Sequence, residues 1–208
     1  VNGIVCGRGA KSTILSNAEN TIYDVKRFLG LPYNQCAGII GHEHYGFRCI
    51  RYDPTMVYEM KVGENTLFKT PEMVDADFLR YLVSCAEAHL GYRTEGVVIT
   101  VPAFFQYSQT DATIRAAQAA GLHVYQTICE PSAAAIAVTP IPTMDEKYIL
   151  VYDLGGGTFD VAIIRSSLRE YNIVGNNGHP FLGGRDFDQV VFDIAARRLA
   201  TVGVDITA

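Results

Sequence analysis

The chain has 208 residues, 49% of them apolar, and a formal net charge of −5. This is the profile of a globular, core-forming chain of one domain or two lobes. An acidic balance with no basic run argues against a nucleic-acid partner, and no apolar stretch approaches the roughly 20 residues of a membrane helix.

The opening VNGIVCGRGAK has no initiator Met and neither the apolar core nor the cleavage site of a signal peptide. The sequence is therefore expected to begin inside a longer gene product. Cys6, Cys36, Cys49, Cys85 and Cys129 are scattered, odd in number and without a Cys-x-x-Cys pair. Buried, reduced thiols in a cytoplasmic protein are the expectation.

In chain order, ENTIYDVKRFLG predicts a short helix with Ile22, Val25, Phe28 and Leu29 on one face and Gly30 at its end. Residues 31–69 predict small strands and turns. TPEMVDADFLRYLVSCAEAHLG predicts the clearest helix, capped by Thr70, with Pro71 at its first position and Gly91 as its stop. Along it Val74, Phe78, Leu82, Cys85 and His89 recur at helical spacing. GVVITVP is a continuous apolar run, the mark of a strand buried on both faces. SQTDATIRAAQAAG predicts a helix with Ser108 and Asp111 at capping-box spacing. LHVYQTI predicts a strand and PSAAAIAV a short helix opened by Pro131. TPIPTMDEK interrupts all periodicity and predicts a lobe boundary near 143, dividing 1–143 from 144–208. YILVY, FDVAIIR and REYNIVGN follow as strands. RDFDQVVFDIAARRLA closes the chain as a helix with Phe187, Val190, Val191, Ile194 and Leu199 inward. Strands and helices alternate in one part and a strand pair follows in the other, which predicts an α/β fold with a mixed sheet.

The stretch VYDLGGGTFDV carries the chemistry. Its glycines stand between two strand-like runs, not between a strand and a helix. There is no Gly-Lys-Ser/Thr and no Gly-x-Gly-x-x-Gly opening a helix, so neither the P-loop nor the dinucleotide fingerprint applies. A hairpin needs one or two glycines for positive φ; three exceed that need and let backbone N–H groups approach an anion. Asp153 adds a carboxylate for hydrated Mg²⁺ and Thr158 a hydroxyl. Residue chemistry leaves two readings open, a phosphate cradle and a tight structural hairpin. Asp160 and Asp186 read as hairpin and helix-start residues, and the five histidines have no ligand spacing.

DLGGGTFDV resembles the second phosphate loop of the seventy-kilodalton heat-shock chaperones. VVITVPAFF, ATIRAAQAAGLHV, EPSAAAIAV and FLGGRDFD resemble that family's nucleotide-binding domain in the same order, and AENTIYDVKRFLG and AEAHLGYRTEGVVITVPA extend the match over nearly the whole chain. The resemblance implies an actin-like (ribonuclease H-like), two-lobed ATPase domain. The chain would hold most of lobe I after its first phosphate hairpin, and the start of lobe II. ATP or ADP would lie in the cleft between lobes. It implies Gly155, Gly156, Gly157 and Thr158 at the phosphates, Asp153 and Glu130 near water-bound Mg²⁺, and Lys11 at the γ-phosphate. Pro102 would relay nucleotide state. Such placements suit phosphoryl transfer, where a lysine neutralises charge and carboxylates hold metal and water in line.

The implied partners are unfolded polypeptide clients held by a separate substrate domain, J-domain co-chaperones and nucleotide-exchange factors, with no nucleic acid and no membrane. The alternative is a non-catalytic, degenerate relative acting by protein–protein interaction. Two departures from the family pattern are substitutions. Thr110 of QYSQT stands where the family has an arginine implicated in interdomain signalling. His179, Pro180, Phe181 and Arg185 depart from the usual residues around Leu-Gly-Gly. The family's first phosphate loop and its adenosine-binding glycine motif are not among these residues.

Overall fold

The structure is a computed structural model and describes residues 3–42, 45–138, 146–167 and 170–206, without the side chain of His42. Its contacts group into two compact units, Val1–Ile99 with Phe105–Thr127, and Thr100–Phe104 with Ile128–Ala208. The expected boundary near 143 lies outside the described residues. The elements combine helices with three small sheets, an α/β chain.

The first unit is built on an aromatic core. A short helix α1 (Arg8–Ser12) precedes two isolated 3₁₀ turns, Ala18–Asn20 and Val25–Arg27. The single helix expected over ENTIYDVKRFLG is therefore replaced by two turns with extended chain between them. Asp24 in the left-handed region, at φ 57°, breaks any continuous helix. Gly30 ends this stretch at φ 67°, with its Cα so close to α4 (Tyr107–Ala119) that an added Cβ would lie 2.6 Å from the Gln109 Cα.

A helix the sequence reading did not anticipate, α2 (Tyr33–His42), follows. Its two glycines, Gly38 and Gly41, lower its intrinsic propensity; packing of Cys36 and Ile39 into the core holds it. Then β1 (Arg48–Tyr52), β2 (Thr55–Val62) and β3 (Asn65–Lys69) form an antiparallel meander. Phe28, Cys36, Ile39, Phe47, Met56 and Tyr58 make the core. Tyr58 makes T-shaped contacts with Phe28 and Phe47, with ring centroids 6.2 and 5.3 Å away, the geometry that ring quadrupoles favour.

Helix α3 (Pro71–Leu90) starts and stops where expected. The Thr70 hydroxyl accepts the Met73 N–H at 3.3 Å, and Gly91 closes the helix. Its expected stripe is covered only at its start: Val74 packs on the aromatic core, Phe78, Leu82, Cys85 and His89 stay exposed, and the fully buried positions are Pro71 and Ala76. α4 packs on α3, with the Arg115 guanidinium reaching Glu72 at 3.3 Å and the Arg80 guanidinium donating to the Ala119 carbonyl at 3.1 Å. The cap of α4 is Gln106, whose N–H donates to the Gln109 side chain at 3.2 Å. This corrects the capping box expected at Ser108 and Asp111, which lie inside the helix. β4 (Val97–Val101) pairs with β5 (Val124–Cys129). β4 alternates between exposed and covered positions, with Val98 exposed, so it is not buried on both faces.

The second unit is a three-stranded antiparallel sheet, β6 (Lys147–Leu154), β7 (Phe159–Ser167) and β8 (Glu170–His179), with helices α5 (Glu130–Val138) and α6 (Gly184–Ala200). Val174 is an extra residue in β8 where the register shifts at Ile163/Ile164. Ala135 of α5 packs on Ala162 and Ile164, with Ile149, Val151, Tyr171 and Ile173 around them. This places α5 on one face of the sheet. The inward face expected for α6 is corrected at four of its five positions: Phe187, Val190, Val191 and Ile194 are exposed, and Leu199 is half-buried.

Candidate functional site

The β6–β7 hairpin turns through Gly155–Thr158. Its ladder closes with the Leu154–Phe159 pair, and the Gly155 N–H donates to the Thr158 carbonyl at 3.0 Å. Gly155 and Gly156 are exposed, and Gly157 and Thr158 are half-buried. Neither Gly155 nor Gly156 has a left-handed φ. A Cβ on Gly156 would meet nothing within 4 Å, and one on Gly155 would make only an ordinary contact at 3.6 Å. The fold itself therefore does not require glycine at 156. A bare backbone facing open space is what an approaching anion needs.

Carboxylates gather at the loop end of the face that α5 covers. Ile149 opposes Ile164, Val151 opposes Ala162, and Asp153 opposes Asp160. Directly opposed residues share a face, so both aspartates continue the row of side chains beneath α5. Asp160 is buried and Asp153 half-buried. Glu130 is the first residue of α5, which follows directly on β5. The adjoining Cys129 thiol reports on the surroundings: burial pushes its pKa up, and the charges of Glu130 and Asp160 push it further. Glu130, Asp153 and Asp160 thus share one end of the hairpin. Like charges opposed across a ladder repel, and a hydrated divalent cation is one counter to that repulsion. Among the described residues no group of three or more His, Cys, Asp or Glu could hold a metal directly. A cation here would be held through its water shell, as Mg²⁺ commonly is.

The loop has a second neighbour that the sequence reading did not connect with it. β8 ends with His179 opposite Phe159, beside the glycine turn. Four residues, 180–183, lead from there into α6. The Gly184 N–H donates to the Gly155 carbonyl at 3.0 Å, and the Arg185 N–H to the Gly156 carbonyl at 2.9 Å. Asp186 acts as a helix-start residue, its carboxylate accepting the Gly183 N–H at 2.7 Å. Gly183 is buried against the loop: an added Cβ would lie 2.5 Å from both the Gly156 carbonyl carbon and the Gly157 nitrogen. The signal was present in FLGGRD as a second glycine pair, but only the strand pairing shows which backbone it meets.

The remaining residues singled out in the sequence are carried by other elements. Lys11 is an exposed residue of α1 in the first unit. Pro102 is buried directly after β4. Thr110 is half-buried in the first turn of α4, its N–H on the Gln106 carbonyl at 3.1 Å. All five cysteines are free; Cys36 is buried but Cys85 is exposed, which corrects the expectation of five buried thiols. Among the described residues no helix is long and apolar enough to cross a membrane. A family model described as Hsp70 protein matches residues 2–208.

Proposed function

Because this chain belongs to the Hsp70 family, whose chaperone-type ATPase domain it carries, we propose that the β6–β7 turn binds the phosphates of Mg-ATP and that the intact protein couples ATP hydrolysis to binding and release of unfolded polypeptides. The observation that carries this reading is Gly156: a glycine that neither φ nor packing demands, its backbone bare toward open space. In this reading the N–H groups that follow Gly155, whose own N–H is held by the Thr158 carbonyl, donate to phosphate oxygens and the Thr158 hydroxyl adds a further donor. Asp153 and Glu130 hold hydrated Mg²⁺, which supplies charge neutralisation at the transferred phosphoryl group. Asp153 also orients the attacking water. Lys11 takes its γ-phosphate role from the family resemblance. The actin-like, two-lobed arrangement, J-domain co-chaperones, exchange factors and a cytoplasmic location belong to the same proposal.

Single-turnover hydrolysis in the full-length protein tests it. Asp153→Asn keeps the shape and removes the charge; it is expected to lower the rate by about 100-fold or more with an unchanged unfolding midpoint. A wild-type rate in that variant overturns the assignment of Asp153. Absence of Mg-ATP binding by the unmodified protein overturns the whole reading.

A further inference from the structure

We propose that Gly183 is a positioning residue, which fixes the direction of the loop amides by letting the first turn of α6 seat on the loop's carbonyl side. The inference rests on the phosphate-binding reading and adds to it the part that aims the cradle.

The geometry is that of two peptide planes. The Gly155 and Gly156 carbonyls accept from the Gly184 and Arg185 N–H groups at 3.0 and 2.9 Å. Neither peptide is cis. In a trans peptide the carbonyl and the following N–H point in opposite directions. Pulling the Gly155 carbonyl toward α6 therefore turns the Gly156 N–H away from it, and pulling the Gly156 carbonyl does the same to the Gly157 N–H. Two successive amides are aimed toward one side, the arrangement that binds anions. The exchange is reciprocal, since the first N–H groups of a helix have no partner within it and here two of them find one in the loop.

Gly183 makes the seating possible. Its φ of −169° is extended backbone open to any residue, so conformation does not demand glycine. Contact does. A methyl group there would stand 2.5 Å from two backbone atoms of the loop and 2.6 Å from the Gly156 oxygen. Backbone cannot rotate aside as a side chain can, so loop and helix must part. Gly184 next door is the natural control. Its Cβ would lie 3.8 Å from the Gly156 Cα and 4.0 Å from the Gly155 oxygen, ordinary contact distances, and the substituted residue keeps its N–H.

The test compares Gly183→Ala with Gly184→Ala in the full-length protein. Equilibrium affinities for Mg-ATP and for adenosine are measured, together with hydrogen exchange of the peptide spanning 151–161. Gly183→Ala is expected to weaken Mg-ATP about tenfold or more, because misaimed groups lose most of their contribution, to leave adenosine within about twofold, and to speed exchange in the loop. Gly184→Ala is expected to leave all three within about twofold. Wild-type Mg-ATP affinity in Gly183→Ala overturns the proposal. So does equal loss of adenosine and Mg-ATP, which marks general unfolding, or equal harm from Gly184→Ala. If the unmodified protein binds no Mg-ATP, the phosphate reading fails; exchange then judges the positioning alone, upheld by faster loop exchange in Gly183→Ala only and refuted by equal exchange in both.

Discussion

Two side chains in the first unit carry costs that the fold tolerates. Burial, reinforced by the charge of Glu72, pushes the Asp75 carboxyl from the usual 3.8 up to about 6. An acid held above its unfolded value keeps its proton in the folded state while the unfolded chain has already lost it. Stability is therefore unaffected below about pH 4, falls as pH rises to about 6, and stays at the lower level above. Asp75→Asn is expected to add about 1–3 kcal/mol at neutral pH and to flatten the curve between those limits, as read by urea unfolding across pH. Tyr58 has its ring in the core, and its buried hydroxyl has no hydrogen-bond partner among the described residues. Tyr58→Phe removes that oxygen without changing the ring, so the melting temperature is expected to hold or rise, by up to about 2 kcal/mol in stability. A fall would reveal a partner for the hydroxyl.

At the scale of elements, α5 holds the carboxylate end of the hairpin by packing on a small patch. Ile164→Ala would open that patch, at about 2–5 kcal/mol, and chemical denaturation followed by circular dichroism would measure it. Elements that announce themselves locally were legible in the sequence. α3 has Thr70, Pro71 and Gly91 at its ends, and the first two strands of the second unit stand out as apolar runs on either side of the glycine turn. The two 3₁₀ turns before Gly30 imitate a helix because Ile22, Val25 and Phe28 fall at helical spacing, yet it is the core around Tyr58 that fixes them. α2 was illegible for the opposite reason: its glycines suppress the local signal that tertiary packing overrides. At the site, the turn and its neighbouring aspartate could be read from DLGGGTFD. The seating of Gly183 on the loop could not, since it follows from the β7–β8 register, which depends on contacts distant in sequence.

Across the molecule, exposed apolar side chains sit in identifiable places: Phe187, Val190 and Val191 on α6, and Leu150, Tyr152 and Leu154 on β6. The 208-residue chain is expected to bind anilinonaphthalene sulfonate and to associate as its concentration rises. Leu150→Lys, at an exposed position, is expected to reduce both while changing stability by about 0.5 kcal/mol or less; fluorescence titration and light scattering provide the check. The attachment of α6 to the glycine turn has a consequence of another kind. It is made by main-chain atoms, so it does not depend on which side chain stands at position 185, here an arginine. Mutational drift can rewrite the charge beside the turn without loosening it. One position earlier but one, at 183, the genetic alphabet shrinks to a single letter.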